Sequence, residues 1–325
     1  MGSAPVTPSR GGVMARLAGA PICWGVCEVP GWGRQLDPDT VLPEMSALGF
    51  VATEYGPDGF LPDLAQDKAA TLARHGLRAV GQFVPLVLHD RDRDPLPEAE
   101  AALGALLAAD AGVLVVAAVH GGEGYDSRPV LGDEEWDTLL ANLDRISDAA
   151  AAHGLVATLH PHVGTMVETG AETDRVLGGS RILLCLDTGH LLIGGGDPVA
   201  VTREHPDRIG HIHLKDVRRD LAEQVRSGGL TYTEAVRAGM YVPLGAGDVD
   251  IAAIVTSLET AGYRGWYVLE QDTVLPASGD DEAESPDPGA RPVSDVRRSL
   301  EFLRGVAGRI EAGQGRGRGR EEPRT

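Results

Sequence analysis

The sequence predicts a single (β/α)8 barrel. Three observations carry that expectation: eight short apolar segments, helical patterns between them, and polar side chains where the apolar segments end. Continuous apolar segments belong to a parallel sheet covered by helices, and eight of them in 325 residues favour a closed barrel over an open sheet. No Gly-x-Gly-x-x-Gly follows an early segment, which weighs against a dinucleotide-binding fold.

In chain order, residues 1–17 are rich in Gly, Ser, Pro and Arg and are expected to be disordered ahead of a barrel domain spanning 18–312. The first strand is expected over Ala20 to Val26, where Cys23 and Cys27 bracket Trp24. The second and third follow Ala47-Leu48-Gly49 and Arg74-His75-Gly76 and end at Glu54 and Gln82. The fourth follows Asp110-Ala111-Gly112, and the fifth follows Ala152-His153-Gly154 and ends at His160. The sixth is expected over Ile182 to Asp187 and the seventh over Arg208 to Leu214, and the eighth follows Thr260-Ala261-Gly262 and ends at Glu270. Five of the eight thus repeat one device, a helical run closed by Gly and followed at once by a buried strand. Glycine at the position after a helix takes the left-handed conformation that stops it. Helices are expected over Glu134 to His153 and Ile251 to Ala261. The stretch from Arg218 to Val242 is an insertion expected to place an extra helix over the mouth, for specificity or for contact in a homo-oligomer. Pro276 to Pro292 is expected to be an acidic loop, and 313–325 a disordered, solvated Gly/Arg tail.

Charge and cysteine content narrow the function. Lys and Arg total 29 against 48 Asp and Glu, a net charge of −19 that repels phosphate backbones and anionic lipid, so neither nucleic acid nor a membrane is an expected partner. Three cysteines make no disulfide framework and point to a reducing compartment, and neither a membrane span nor a signal peptide is legible; the expected location is cytoplasmic. With no second Cys pair, Cys23 and Cys27 are read as free thiols rather than zinc ligands.

A barrel of this kind carries its chemistry at the C-terminal ends of the strands. Here the strands end in Glu54, Gln82, His160, Asp187, His213 and Glu270. A charge on a buried strand end costs several kcal/mol unless it is paired or bound to a metal. In Ile209-Gly210-His211-Ile212-His213-Leu214-Lys215-Asp216, alternation puts His211, His213 and Lys215 on one face, with His213 nearer the mouth. In Asp187-Thr188-Gly189-His190, Asp187 closes a strand, and a plain helix N-cap by Asp187 or Thr188 is the alternative. His160-Pro161-His162 places two imidazoles on one face, and Pro161 ends the strand pairing. Together His160, Asp187, His213 and Glu270 form a mixed nitrogen and oxygen set suited to Mn²⁺ or Co²⁺, with Zn²⁺, Fe²⁺ or Mg²⁺ as further choices. Asp216 or Glu168 is the expected orienting partner of a ligating imidazole, and Trp24 or Trp32 a floor for a sugar-sized ligand.

At these residues the chain resembles the xylose-isomerase-like barrel superfamily of sugar isomerases and epimerases, and within it the inosose (2-keto-myo-inositol) dehydratase branch. The resemblance spans Ala20 to Asp272 and rests on Thr53-Glu54, His160-Pro161-His162-Val163-Gly164-Thr165, Asp187-Thr188-Gly189-His190, His211-Ile212-His213-Leu214-Lys215-Asp216 and Gly265-Trp266-Tyr267-Val268-Leu269-Glu270. It implies a divalent metal held at His160, Asp187, His213 and Glu270, and a keto-sugar or keto-inositol substrate. The departure is His160, where isomerases and epimerases carry Glu; Glu168 is the nearest compensating carboxylate and the alternative to His160 as the ligand that completes the metal site. That departure favours a hydro-lyase that forms an enolate and expels water, with sugar isomerisation, 3-epimerisation or keto-glycoside cleavage as the alternatives. From the chemistry such a site can perform, the expected roles are proton abstraction by His190 or Glu54, enolate stabilisation by Lys215 and protonation of the leaving hydroxyl by His162, with Trp24, Gln82, Glu168 and Asp216 contacting substrate.

Overall fold

The computed structural model describes residues 11–276 and 290–318. Its strands are β1 (Leu17–Gly19), β2 (Ala52–Thr53), β3 (Arg78–Ala79), β4 (Gly81–Leu86), β5 (Val113–Ala118), β6 (Val156–Leu159), β7 (Leu183–Asp187), β8 (Ile209–Leu214), β9 (Asp216–Val217), β10 (Tyr241–Val242) and β11 (Tyr267–Leu269). Nine of them form one parallel sheet in the order β3-β2-β1-β11-β8-β7-β6-β5-β4. Only Val80 separates β3 from β4, and it bridges the two ends of that order. Its N–H donates to Thr53 O, and its carbonyl accepts from Gly112 N. The nine segments therefore amount to eight staves and the sheet closes on itself, as the sequence predicts.

The helices are α1 (Pro38–Leu48), α2 (Ala65–Arg74), α3 (Leu96–Ala108), α4 (Asp133–Ala152), α5 (Gly170–Gly179), α6 (Thr188–Ile193), α7 (Pro198–Glu204), α8 (Arg219–Arg226), α9 (Tyr232–Arg237), α10 (Ile251–Ala261) and α11 (Ala290–Arg318). Alternation along the staves sorts the core into two layers. Leu114, Val116, Leu184, Leu186, Ile212 and Leu214 face the helices, whereas Val113, Val115 and Cys185 face the axis. The helix-stop device operates at Gly49, Gly76, Gly154 and Gly262, with φ of 95°, 71°, 73° and 83°. At the third repeat, ahead of the expected fourth strand, it does not: Asp110 takes the positive φ of 56° instead of Gly112. Asp tolerates the left-handed region through its short polar side chain, so the turn is set two residues early.

Three boundary expectations are corrected. The first strand is Leu17–Gly19 rather than 20–26, because Pro21 has no N–H to pair and Pro21–Trp24 winds into a 3₁₀ turn ended by Gly25 at φ 79°. Cys23 and Trp24 therefore lie in that turn, not in a strand. Nor are the residues just before 18 disordered: Arg16 is fully buried, donates to Tyr263 O (2.9 Å) and Gly265 O (3.2 Å) and pairs with Glu259. This one guanidinium ties the chain entry to the last stave. The third correction is at the other end, where α11 runs past residue 313 to Arg318. Residues 1–10, 319–325 and the greater part of the expected acidic loop lie outside the described residues. No described helix is long and apolar enough to cross a membrane.

Candidate active site

The stave ends surround a cavity of about 390 Å³. Its lining combines polar side chains, Glu54, His160, His162, His213, Lys215, Glu270 and Asp272, with apolar ones, Ile22, Val26, Phe83, Val84 and Pro85, and the Phe83 ring lies beside those of His160 and His162.

His160, His213, Asp187 and Glu270 arrive from four consecutive staves and converge. His160 Nε2 lies 3.1 Å from His213 Nδ1 and 3.4 Å from Asp187 Oδ2, and His213 Nδ1 lies 3.2 Å from Glu270 Oε2. Asp187 serves both readings of its sequence. Its Oδ1 accepts from Gly189 N (2.9 Å) and His190 N (2.8 Å) and caps α6, while its Oδ2 is buried without a hydrogen bond and turns toward the imidazoles. An uncapped carboxylate oxygen beside two imidazoles and a second carboxylate is a donor set for a divalent cation. The ligand atoms of Asp187, His213 and Glu270 lie within 4.8 Å of one another, the spacing a single ion spans. The cluster already draws positive charge, for Lys215 Nζ lies 3.4 Å from Asp187 Oδ2, 3.1 Å from Glu270 Oε2 and 2.7 Å from Asp272 Oδ1.

The charges follow from these neighbours. Burial works against the Lys215 ammonium, but Asp187, Asp272 and Glu270 outweigh it and hold its pKa well above the usual value. Burial likewise opposes ionisation of Asp187, and Lys215 and His190 reverse it, leaving the pKa well below the carboxylate range. His162 and His190 are driven the other way: burial first, then neighbouring positive charge, push both well below an ordinary imidazole. His162 Nδ1 lies 2.7 Å from Val163 O and donates to it, which leaves the lone pair of the neutral ring on Nε2. Its ring stacks on His190 at 3.7 Å and on Tyr125 at 4.3 Å between centroids.

Several expected site residues sit elsewhere. Trp24 is fully buried outside the cavity and donates to Glu44 (2.6 Å); Trp32 lines the cavity in its place. Glu168 pairs with Arg128 at 2.9 Å and accepts from Gly164 N, so it neither completes the cation cluster nor faces the cavity. Asp216 accepts four backbone N–H groups, from Val217, Gly245, Gly247 and Val249, and holds the loop before α10 rather than an imidazole or a substrate. His190 lies beneath the cavity wall, 3.0 Å from Lys215 Nζ, and has no place in its lining. Glu54 does line the cavity but accepts from two imidazoles, which hold its pKa well below the usual range despite burial. Gln82 lines the cavity.

The sequence reading missed Asp272, Tyr232 and Tyr125. Asp272 lies two residues past the eighth strand's Glu270, a spacing that already signalled it. Tyr232 belongs to the 218–242 insertion, which folds as α8, α9 and β10, pairs β10 with β9 just ahead of it, and lowers this side chain into the cavity. Its hydroxyl donates to Asp272 (2.5 Å), so the insertion contributes directly to the site. Tyr125 closes the rim by donating to Glu28 (2.7 Å).

This fold and this strand-end cluster define a (β/α)8 barrel with a candidate divalent-metal centre at its mouth. Residues 42–305 match the family model for the xylose isomerase-like TIM barrel, and the chain belongs to that family. It is 32% identical over 268 residues to the inosose dehydratase of Geobacillus thermodenitrificans (strain NG80-2), covering 79% of this chain and 89% of that one. It is 35% identical over 268 residues to the rhizopine catabolism protein MocC of Rhizobium meliloti, covering 79% and 81%. Among solved structures, an L-ribulose 3-epimerase superposes with a TM-score of 0.65 at 15% identity over 95% of this chain and 99% of its own. A probable 3-DHS dehydratase from Bacillus anthracis superposes at 0.61 and 15% identity, covering 89% and 98%, and both share the fold. The relatives place the chain among enzymes of the hydro-lyase type.

Proposed function

We propose that this enzyme dehydrates a keto-cyclitol of the 2-keto-myo-inositol type, with a divalent metal held by His160, Asp187, His213 and Glu270. The observation that carries the reading is the neutral His162, fixed with its lone pair on Nε2 in the wall of a cavity whose neighbouring wall is the cation cluster. The metal, when bound, supplies Lewis acidity that polarises the ketone and makes the adjacent C–H acidic. His162 Nε2 takes the α-proton, a task the expected bases Glu54 and His190 are poorly placed to do. The Lys215 ammonium stabilises the negative charge that develops on the ketone oxygen. The imidazolium of His162 then returns its proton to the β-hydroxyl, which leaves as water, so one side chain serves as base and then acid. Asp272, fixed by Lys215 and Tyr232, accepts a hydrogen bond from a substrate hydroxyl, and the apolar wall at Phe83 and Val84 covers the C–H face of the ring. Isomerases and 3-epimerases need a second free carboxylate for proton transfer; here His160 stands in that place and Glu54 is committed to imidazoles.

The ion we favour is Mn²⁺ or Co²⁺, on the strength of two nitrogens and two carboxylates. The test is to incubate the metal-loaded protein with 2-keto-myo-inositol, ketohexoses and 3-keto-glucosides and record ultraviolet absorbance. Dehydration of the keto-inositol gives a conjugated enol-dione and a rising band. Turnover of ketohexoses with no such band would overturn the reading.

A further inference from the structure

We propose that Glu54 and His211 are positioning residues that fix which nitrogen of His213 faces the cation cluster. The proposal rests on the metal reading above. Glu54 Oε1 accepts from two imidazoles at once, His211 Nε2 at 2.8 Å and His213 Nε2 at 3.0 Å. The carboxylate comes from the end of β2 and both imidazoles from β8, so the contact crosses the barrel interior. All three are buried, at 4%, 0% and 1% exposure. With Nε2–H donated to Glu54, the only lone pair His213 can offer is on Nδ1, the atom 3.2 Å from Glu270 Oε2 and 3.7 Å from Asp187 Oδ2. A carboxylate that accepts the far N–H of a ligating imidazole fixes its tautomer and ring orientation and raises its basicity.

His211 has no other evident employment. Its Nδ1 is buried without a hydrogen-bond partner among the described residues, so this imidazole leaves half its capacity unmet in the barrel interior. An apolar side chain would pack there without that cost. The bond that His211 does make goes to Glu54 Oε1, the same oxygen that meets His213, so it holds the carboxylate in the rotamer that reaches His213. The chain of contacts His211, Glu54, His213 thus runs from the barrel interior to the cluster, and the first two act only through the third.

The experiment measures Zn²⁺ and Co²⁺ affinity by chelator competition in the absence of substrate, together with imidazole ¹H–¹⁵N spectra of the zinc-loaded protein. Wild type should show His213 bound through Nδ1 with Nε2 protonated. Glu54→Gln should weaken binding about 10- to 100-fold. His211→Leu should weaken it less, and His211→Gln, which keeps an N–H donor, should recover most of that loss. Wild-type affinity in both Glu54→Gln and His211→Leu would overturn the proposal. So would zinc bound to His213 through Nε2, since that places the ion among Glu54, His211 and His213, whose ligand atoms also lie within 4.8 Å of one another. The spectrum of the wild type decides the point even where a variant fails to fold. An affinity series that behaves as expected in a protein that forms no enol-dione would leave this proposal standing and remove the functional one.

Discussion

Asp216→Asn separates a loop anchor from a chemical residue. In the folded chain Asp216 Oδ1 accepts from Val217 N and Val249 N at 3.0 Å each, and Oδ2 accepts from Gly245 N at 2.8 Å and Gly247 N at 3.0 Å. The side chain is 1% exposed, and a Cβ on Gly247 would lie 2.3 Å from Oδ1, so the loop wraps the carboxylate without room for water. An amide replaces one of the two oxygens with a donor. Whichever way it turns, two of the four N–H groups then face an N–H₂. Each buried donor left unmet costs about 1–3 kcal/mol, so the substitution should destabilise by about 2–6 kcal/mol. With an unfolding entropy of about 2.1 cal/mol/K per residue, Tm should fall by about 3–9 °C. Denaturant titration and calorimetry measure the loss. Hydrogen exchange locates it, because the amides of Gly245 and Gly247, or those of Val217 and Val249, should lose protection first. Below its melting range the variant should keep most of its turnover, because Asp216 does not face the cavity. Stability within about 0.5 kcal/mol of wild type with a collapse in kcat would refute this account and make Asp216 a chemical residue.

Other outcomes follow from the same geometry. His162→Gln should cost about 10²–10⁴ in kcat while metal affinity, read by chelator competition, stays near wild type. Saturating Mn²⁺ or Co²⁺ at about 100 times Kd should stabilise the fold by about 2.7 kcal/mol, and chelator should return Tm to the metal-free value. For Glu172, burial alone would raise the pKa. The Arg128 guanidinium (2.8 Å) and the N–H groups of Thr169 and Glu168 outweigh burial and lower it. A lowered folded pKa gives stability that is present above the unfolded value and lost as pH falls through the folded one. Glu172→Gln should therefore cost about 1 kcal/mol at neutral pH, and its deficit against wild type should shrink below about pH 4 in pH-dependent denaturant melts.

Much of this protein was legible in its residue pattern because a closed barrel leaves few choices. Staves buried on both faces must be apolar, so a Glu, His or Asp that ends one stands out, and His160, Asp187, His213 and Glu270 come together in the structure. What pattern reading could not supply is direction. Periodicity places Glu54 at a stave end but does not show that it reaches across the barrel to His211 and His213. It marks Asp216 and Glu168 as carboxylates near the site without showing that backbone N–H groups and Arg128 occupy them. Trp24 misled because an apolar run that looks like a strand contains Pro21, which turns it. Tyr232 was hidden in an insertion, where no periodicity tells which side chain drops into the cavity.

The most direct test of the account is a count of bound metal in the wild type and in Asp187→Asn, His213→Gln and Glu270→Gln. It predicts one equivalent of Mn²⁺ or Co²⁺ per chain in the wild type and affinity at least about 10-fold weaker in every variant. A wild-type protein that takes up no ion, or three variants that bind as it does, would contradict the convergence on which the chemistry depends.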